Sequence, residues 1–150
     1  MNIRILRGHE VSEANQLIKD VFMRQIAPTY VAEGIEMFLS SFNDEHILSL
    51  MKQQHLLMLG AFDEKLVGVI GIRDLKDIQS LFVDPAYQGQ HIGTKLLESA
   101  KQLMYGDVYV NSAPSAETFY RSQGFQKVHD EQVVNGIRFV PMIHHRYKTY

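Results

Sequence analysis

Residues Leu81 to Leu97 form the stretch of this chain best suited to chemistry with an anion. Leu81-Phe82-Val83 reads as the end of a strand and Asp84-Pro85 as its stop. Gln88-Gly89-Gln90-His91-Ile92-Gly93 reads as a glycine-bearing turn, and Thr94-Lys95-Leu96-Leu97 as the opening of a helix. The first amides of a helix lack a partner inside it and carry the positive end of its dipole, so a loop kept open by glycine lets them cradle a pyrophosphate. The same residues also make a ligand-free turn between a strand and a packed helix. Their spacing is neither that of a Walker loop, G-x-x-x-x-G-K-S/T, nor that of a clean G-x-G-x-x-G dinucleotide turn.

The elements that must position this turn follow from hydrophobic periodicity. Asn2 to Leu6 alternates as a half-buried strand, and Ser12 is a candidate cap for a helix lined by Ala14, Leu17, Ile18, Val21 and Phe22, with Pro28 at or beyond its end. Short helices are expected over Val31 to Leu39 and Asp44 to Gln54. Leu56 to Phe62 and Lys65 to Ile72 read as a hairpin turning at Asp63 and Glu64, in which Gly68 and Gly71 mark a bulge or a close ligand approach. A strand over Asp77 to Val83 leads into the turn, and a helix over Thr94 to Met104 leads out of it. Asp107 to Val110 is a buried strand, Ser115 to Gln123 a helix closed by Gly124, and the last strands are expected near Phe125 to Val134 and Arg138 to Tyr147. The order is mixed α/β with no repeat or linker, which predicts one domain over residues 1–150.

Composition narrows the function. With 150 residues, 45% of them apolar, the chain buries an adequate core without staples. Having no cysteine, it has no thiolate nucleophile or thiolate zinc site, which fits a reducing, cytoplasmic setting. Its apolar runs are of strand length, far short of the roughly 20 residues that span a bilayer. A net charge of -2 lacks the basic excess that a phosphate backbone demands, so neither a membrane nor a nucleic acid is the expected partner. His144 and His145 alternate across a strand, so a metal site is not expected there.

Two segments resemble the signatures of the GNAT superfamily of N-acetyltransferases. Leu81 to Leu97 is similar to its acetyl-CoA motif, a strand L-x-V-x-P followed by Q/R-x-x-G-x-G/A, with Gln88 and Gly93 matching. The middle glycine of that pattern is His91 here, and a β-carbon there restricts positive-φ geometry. Downstream, Asn111 to Phe125 resembles the second signature, an asparagine after the fifth strand and a helix ending F-Y-x-x-x-G-F. The resemblance covers most of the chain from Leu56 onward. It implies an α/β (α+β) fold with a central mixed, mostly antiparallel sheet of six to seven twisted strands. About four helices flank that sheet, which is splayed between strands 4 and 5.

The same resemblance implies roles. Acetyl-CoA is the cosubstrate: backbone groups of Leu81, Phe82 and Val83 meet its pantetheine arm like an added strand, and the amides of Gln88, Gly89, Gln90, His91, Ile92, Gly93 and Thr94 hold its pyrophosphate. Asn111 bonds the cofactor or caps a helix. Tyr120 is the implied general acid for the departing thiolate, and a backbone amide near Val83 meets the oxyanion of a direct attack by the amine. Asp77 is a candidate base, as are His46, His55 and His91, and each also reads as an ordinary surface or packed residue. The acceptor is an amine of a small molecule or peptide, selected by the region from Phe22 to Phe42. There Glu33 and Glu36 beside Tyr30 and Phe38 suit a cationic amine or form a solvated helix face. Two rival functions are a non-catalytic acetyl-CoA-binding module and a nucleotide-binding protein. Phe139, Tyr147 and Tyr150 leave monomer and homodimer both open.

Overall fold

The computed structural model describes residues 1–146, so the expected strand end at Tyr147 and any pairing role of Tyr147 and Tyr150 lie outside the described residues. In chain order the elements are β1 (Asn2–Ile5), α1 (Val11–Gln25), α2 (Ala32–Ser41), α3 (Asp44–Lys52), β2 (Leu56–Asp63), β3 (Lys65–Arg73) and β4 (Asp77–Val83). They continue with α4 (Ile92–Lys101), β5 (Val108–Ser112), α5 (Glu117–Ser122), β6 (Gln126–Lys127), β7 (Gln132–Val134) and β8 (Ile137–His144). The strands form an 8-stranded sheet in the order β1-β2-β3-β4-β5-β8-β6, with β7 paired to β8. Every pairing is antiparallel except β4 with β5.

Both faces of the sheet are covered, which is why β2 and β3 read as nearly continuous apolar runs. Ile92, Leu96, Leu97 and Ala100 of α4, with Tyr120 of α5, pack on Ala61, Ile70 and Ile72. On the other face, Ile18 of α1 and Ile47 of α3 pack on Leu56, Met58 and Val69.

Two local expectations are corrected. Ser12 does not cap α1. A 3-10 turn, Gly8–Glu10, precedes the helix, and the Glu10 carboxylate accepts from the Arg4 guanidinium at 2.6 and 2.9 Å and from the Arg7 amide at 2.9 Å. Those donors hold the Glu10 carboxyl at about 2. The expected single strand from Phe125 to Val134 is two strands. Lys127 faces Met142 and Gln132 faces Phe139, so four residues stand opposite two, and the chain leaves the ladder after the Val128 amide donates to the Pro141 carbonyl at 2.8 Å. This raises the strand count above the six to seven expected. β8, which carries Phe139, pairs with β5, β6 and β7 and is not an open edge.

The feature that positions the site is a break between β4 and β5. Ile72 faces Ile78 and Gly71 faces Ser80, so Gln79 is an extra residue, a bulge that bends β4. On the Asp77 side of the bulge the strands pair, Asp77 with Tyr109 and Ile78 with Val110, and the Tyr109 amide donates to the Lys76 carbonyl at 2.9 Å. Beyond it the two strands share no further pairing. The bulge also flips the alternation of β4. The Asp84 amide donates to the Val67 carbonyl of β3 at 2.8 Å, so Phe82 and Ser80 turn their main-chain groups toward β3, while Leu81 and Val83 turn theirs into the gap.

The other wall of the gap is a hairpin docked on a helix. β7 and β8 turn through Asn135 and Gly136, at φ of 53° and 80°, which suits a two-residue turn of positive φ. The tip lies against α2 so closely that a β-carbon at Gly34 would sit 2.0 Å from the Gly136 carbonyl oxygen. Gly34→Ala therefore cannot keep the hairpin in place. It is expected to cost about 1 to 3 kcal/mol in urea unfolding. Unchanged stability would show that the contact is not needed.

Candidate active site

The gap opens into two cavities that meet. One, of about 470 Å³, lies between β4 and the start of α4, lined by Val83, Tyr87, the Gln88–Gly89 turn, His91 to Thr94 and Phe119. The other, of about 540 Å³, lies between β4, β5, α2 and the β7–β8 hairpin, lined by Phe22, Tyr30, Phe38, Arg73, Asn111 and Arg138 among others. Ile26, Leu81, Phe82, Ala116 and Tyr120 line both. A molecule threaded through the first cavity therefore presents its end to the second at Leu81, Phe82 and Tyr120.

The first cavity is built from backbone. Main-chain groups of Leu81 and Val83 face the gap, and beyond them the chain turns through a 3-10 segment, Pro85–Tyr87, held by the Asp84 carboxylate accepting from the Ala86 amide at 2.9 Å. Gln88 closes the turn. Its side-chain amide donates to the Val83 carbonyl at 3.1 Å and exchanges hydrogen bonds of 3.0 and 3.1 Å with Gln25 of α1. After the Gln88 amide, which donates to the Pro85 carbonyl, the next main-chain amide with a protein acceptor is that of Lys95, bonded to the His91 carbonyl at 3.0 Å. The amides of Gly89, Gln90, His91, Ile92, Gly93 and Thr94 have no acceptor among the described residues. Unpaired donors at a helix N-terminus, continuous with an unpaired strand edge, fit a phosphate-bearing ligand with an extended, amide-containing arm.

His91 stands at φ 62° and ψ 22°, the left-handed conformation that the sequence pattern reserves for glycine. A residue with a β-carbon carries strain in that conformation. His91→Gly is expected to raise stability by about 1 kcal/mol, read from the denaturant midpoint, whereas His91→Ala, which keeps the β-carbon, gives no such gain. Equal stability of the wild type and His91→Gly would show that the turn relaxes at no cost.

Tyr120 occupies the junction. It is 5% exposed and held edge-on between Phe119 and Phe125, with ring centroids 5.2 and 5.3 Å away. Its hydroxyl has no hydrogen-bond partner among the described residues, and burial pushes its pKa well above the usual phenol range, so the proton stays on Oη. The other expected residues divide. Leu81, Phe82, Val83, Gln88, Gly89 and His91 to Thr94 come together at the first cavity, and Gln90 does not line it. Asn111 lines the second cavity and caps no helix, since the next helical turn begins at Pro114 after Ala113. Asp77 lines neither cavity. It is exposed at the far end of β4, its pKa raised by partial desolvation and by the neighbouring Asp74. His46 lines the second cavity, His91 the first, and His55 neither.

Glu33 and Glu36 are exposed on α2 and line neither cavity, so of the two readings left open they form the solvated helix face. Sequence reading passed over Arg73, Gln79, Ser80 and Arg138, all of which line the second cavity. Nothing in their local spacing marked them, because the bulge and the hairpin that aim them are tertiary features. Among the described residues no group of three or more His, Cys, Asp or Glu is placed to hold a metal, and no helix is long and apolar enough to cross a membrane.

Comparison with known proteins agrees with this geometry. Residues 26–145 match the acetyltransferase (GNAT) domain family, and the chain belongs to that family. The fold is similar to a GCN5-related N-acetyltransferase from Rhodopseudomonas palustris, with a TM-score of 0.79 at 16% identity over 96% of this chain and 94% of that one. It is also similar to the PaiA N-acetyltransferase from Thermoplasma acidophilum in complex with coenzyme A, with a TM-score of 0.77 at 22% identity over 97% and 99%. A third similar structure is a ribosomal-protein-alanine N-acetyltransferase from Brucella melitensis, with a TM-score of 0.70 at 18% identity over 97% and 99%. No curated protein matches the sequence.

Proposed function

We propose that this protein is an acetyl-CoA-dependent N-acetyltransferase that moves the acetyl group to a primary amine of a small molecule or peptide by direct attack. The observation that carries the reading is the run of unpaired amides from Gly89 to Thr94, continuous with the open edge of β4 and ending beside Tyr120. The coenzyme A complex of the similar PaiA protein supports the choice of cofactor.

The cosubstrate supplies an activated thioester, and the chain supplies position and protons. The amides of Gly89 to Thr94 meet the pyrophosphate, and the main-chain groups of Leu81 and Val83 meet the pantetheine amides as a neighbouring strand would. The reacting carbonyl then falls at the junction of the two cavities, where a backbone amide of β4 near Val83 stabilises negative charge developing on oxygen. As the amine nitrogen bonds to the acetyl carbon and the carbon–sulfur bond breaks, Tyr120 Oη gives its proton to the departing sulfur. Asp77 takes no part in this arrangement because it opens on neither cavity. His46 is the imidazole lining the acceptor side, and with solvent it is the route by which the amine loses its proton.

Tyr120→Phe keeps the ring packing and removes only the proton donor. It is expected to lower kcat by about 100-fold or more while the coenzyme A dissociation constant stays the same; unchanged kcat would remove the role. Because burial raises the pKa of Tyr120, wild-type kcat should not fall through loss of this acid as pH rises to about 10, the ordinary phenol value. Tight coenzyme A binding without turnover of any amine would instead indicate a binding module.

A further inference from the structure

We infer that the acceptor carries an anionic group, a carboxylate at some distance from its amine, and that Arg73 is the residue that selects it. The inference rests on the acetyltransferase reading and adds the charge of the acceptor to it.

The charge of the second cavity is one-sided. Its lining includes Arg73, Arg138 and His46 and no aspartate or glutamate. A dicationic acceptor would bring a second positive group into a space with no carboxylate to receive it, at a cost that grows as water is excluded. An anion meets the opposite situation.

The two arginines are not equivalent. Arg138 is occupied: its guanidinium forms a two-point pair with Glu131 at 2.8 and 3.0 Å and donates to the Thr29 carbonyl at 3.2 Å. Those contacts hold the β7–β8 hairpin to the segment before α2. Arg73 makes no hydrogen bond to protein. Its Nε is buried without a hydrogen-bond partner and forms only a long ion pair with Asp74 Oδ2 at 3.8 Å, while Asp74 Oδ1 is held by His55 Nδ1 at 2.8 Å. The side chain is nevertheless 43% exposed, so the buried Nε leaves the outer Nη groups as its accessible part. A planar fork with two free donors on a cavity wall matches a carboxylate in two-point contact.

The surroundings reinforce this. Arg73 ends β3 opposite Asp77, and the bulge beside it turns Gln79 and Ser80 into the same cavity. Ser80 is 4% exposed, and both its Oγ and Gln79 Oε1 are buried with no hydrogen-bond partner. Buried polar atoms left unpaired are costly in a native fold unless a water or ligand completes them. Asp74 and Asp77 are the acids nearest Arg73, and neither lines the cavity. Leu81, at the reacting end, pairs with Ile70, three positions along β3 from Arg73, a span of about 10 Å. Allowing for the reach of the arginine, that spacing suits an amine joined to its carboxylate through several bonds.

The test compares acetylation of 6-aminohexanoate, its neutral amide 6-aminohexanamide and the dication 1,6-diaminohexane by the wild type, Arg73→Gln and Arg73→Lys, with release of free thiol as readout. Binding of each amine to the coenzyme A-loaded protein is followed by calorimetry, so that affinity is read apart from turnover. In the wild type the acid should be preferred over the amide and the diamine by about tenfold or more in kcat/KM, carried by KM. Arg73→Gln should bring the three amines level in kcat/KM and in binding while coenzyme A affinity stays the same, and Arg73→Lys should restore part of the preference. An amide or diamine used or bound as well as the acid would overturn the inference, as would a preference that survives in Arg73→Gln. Failure to bind coenzyme A at all would overturn the acetyltransferase reading itself.

Discussion

A single extra residue in β4 governs the architecture of this molecule. Were Gln79 absent, β4 would continue alongside β5, the alternation of its amides would run unbroken, and the space between the two strands would close as ordinary parallel sheet. With Gln79 present the strand bends, pairing stops after Ile78 and Val110, and Leu81 and Val83 turn their peptide groups into the opening. The Val83 carbonyl accepts from the Gln88 side chain, and the other peptide groups facing the gap must find water or a ligand, because no strand is there to receive them. The opening is thus both a place to bind and a requirement that something be bound. Gly71 belongs to the same device, since a β-carbon there would lie 2.7 Å from Ser80 Oγ and 2.8 Å from Gln79 Oε1.

The two halves of the opening use different chemistry. On the α4 side, recognition falls to backbone amides, which carry no information about side-chain identity beyond the need for a sharp turn. On the hairpin side, it falls to side chains brought from β3, β4, β5, α2 and β8. The first half therefore suits one fixed cosubstrate. The second is shaped by which residues the chain places there, and here those residues leave it positively charged. Tyr120 stands where the halves join, kept protonated by burial and free of protein hydrogen bonds.

That division also decides what could be read before the fold was known. The turn from Gln88 to Thr94 was legible because its strand, stop, glycine and helix lie consecutively in the chain, and the segment from Asn111 to Phe125 for the same reason. Periodicity placed β2 to β5 and α4 closely, since each buries a regular face. It failed where contacts from far along the sequence decide. Glu10, not Ser12, stands at the start of the first helix, where Arg4 and the Arg7 amide hold its carboxylate. The last strands broke in two because two surplus residues face β8. Glu33 and Glu36 stayed open between an acceptor wall and a solvated face because helical spacing does not say which face of α2 meets the hairpin, and Arg73 went unnoticed because an arginine ending a strand has no local signature.

The central claim is that the unpaired amides of Leu81, Val83 and Gly89 to Thr94 together form the binding surface for coenzyme A. Amide nitrogen and proton chemical shifts of the uniformly labelled protein, recorded while coenzyme A is added, test it residue by residue. The largest changes are expected at Leu81, Val83 and Gly89 to Thr94, with the amides of β1 and α3 unmoved. Saturable changes centred elsewhere, or none in that run, would contradict the account.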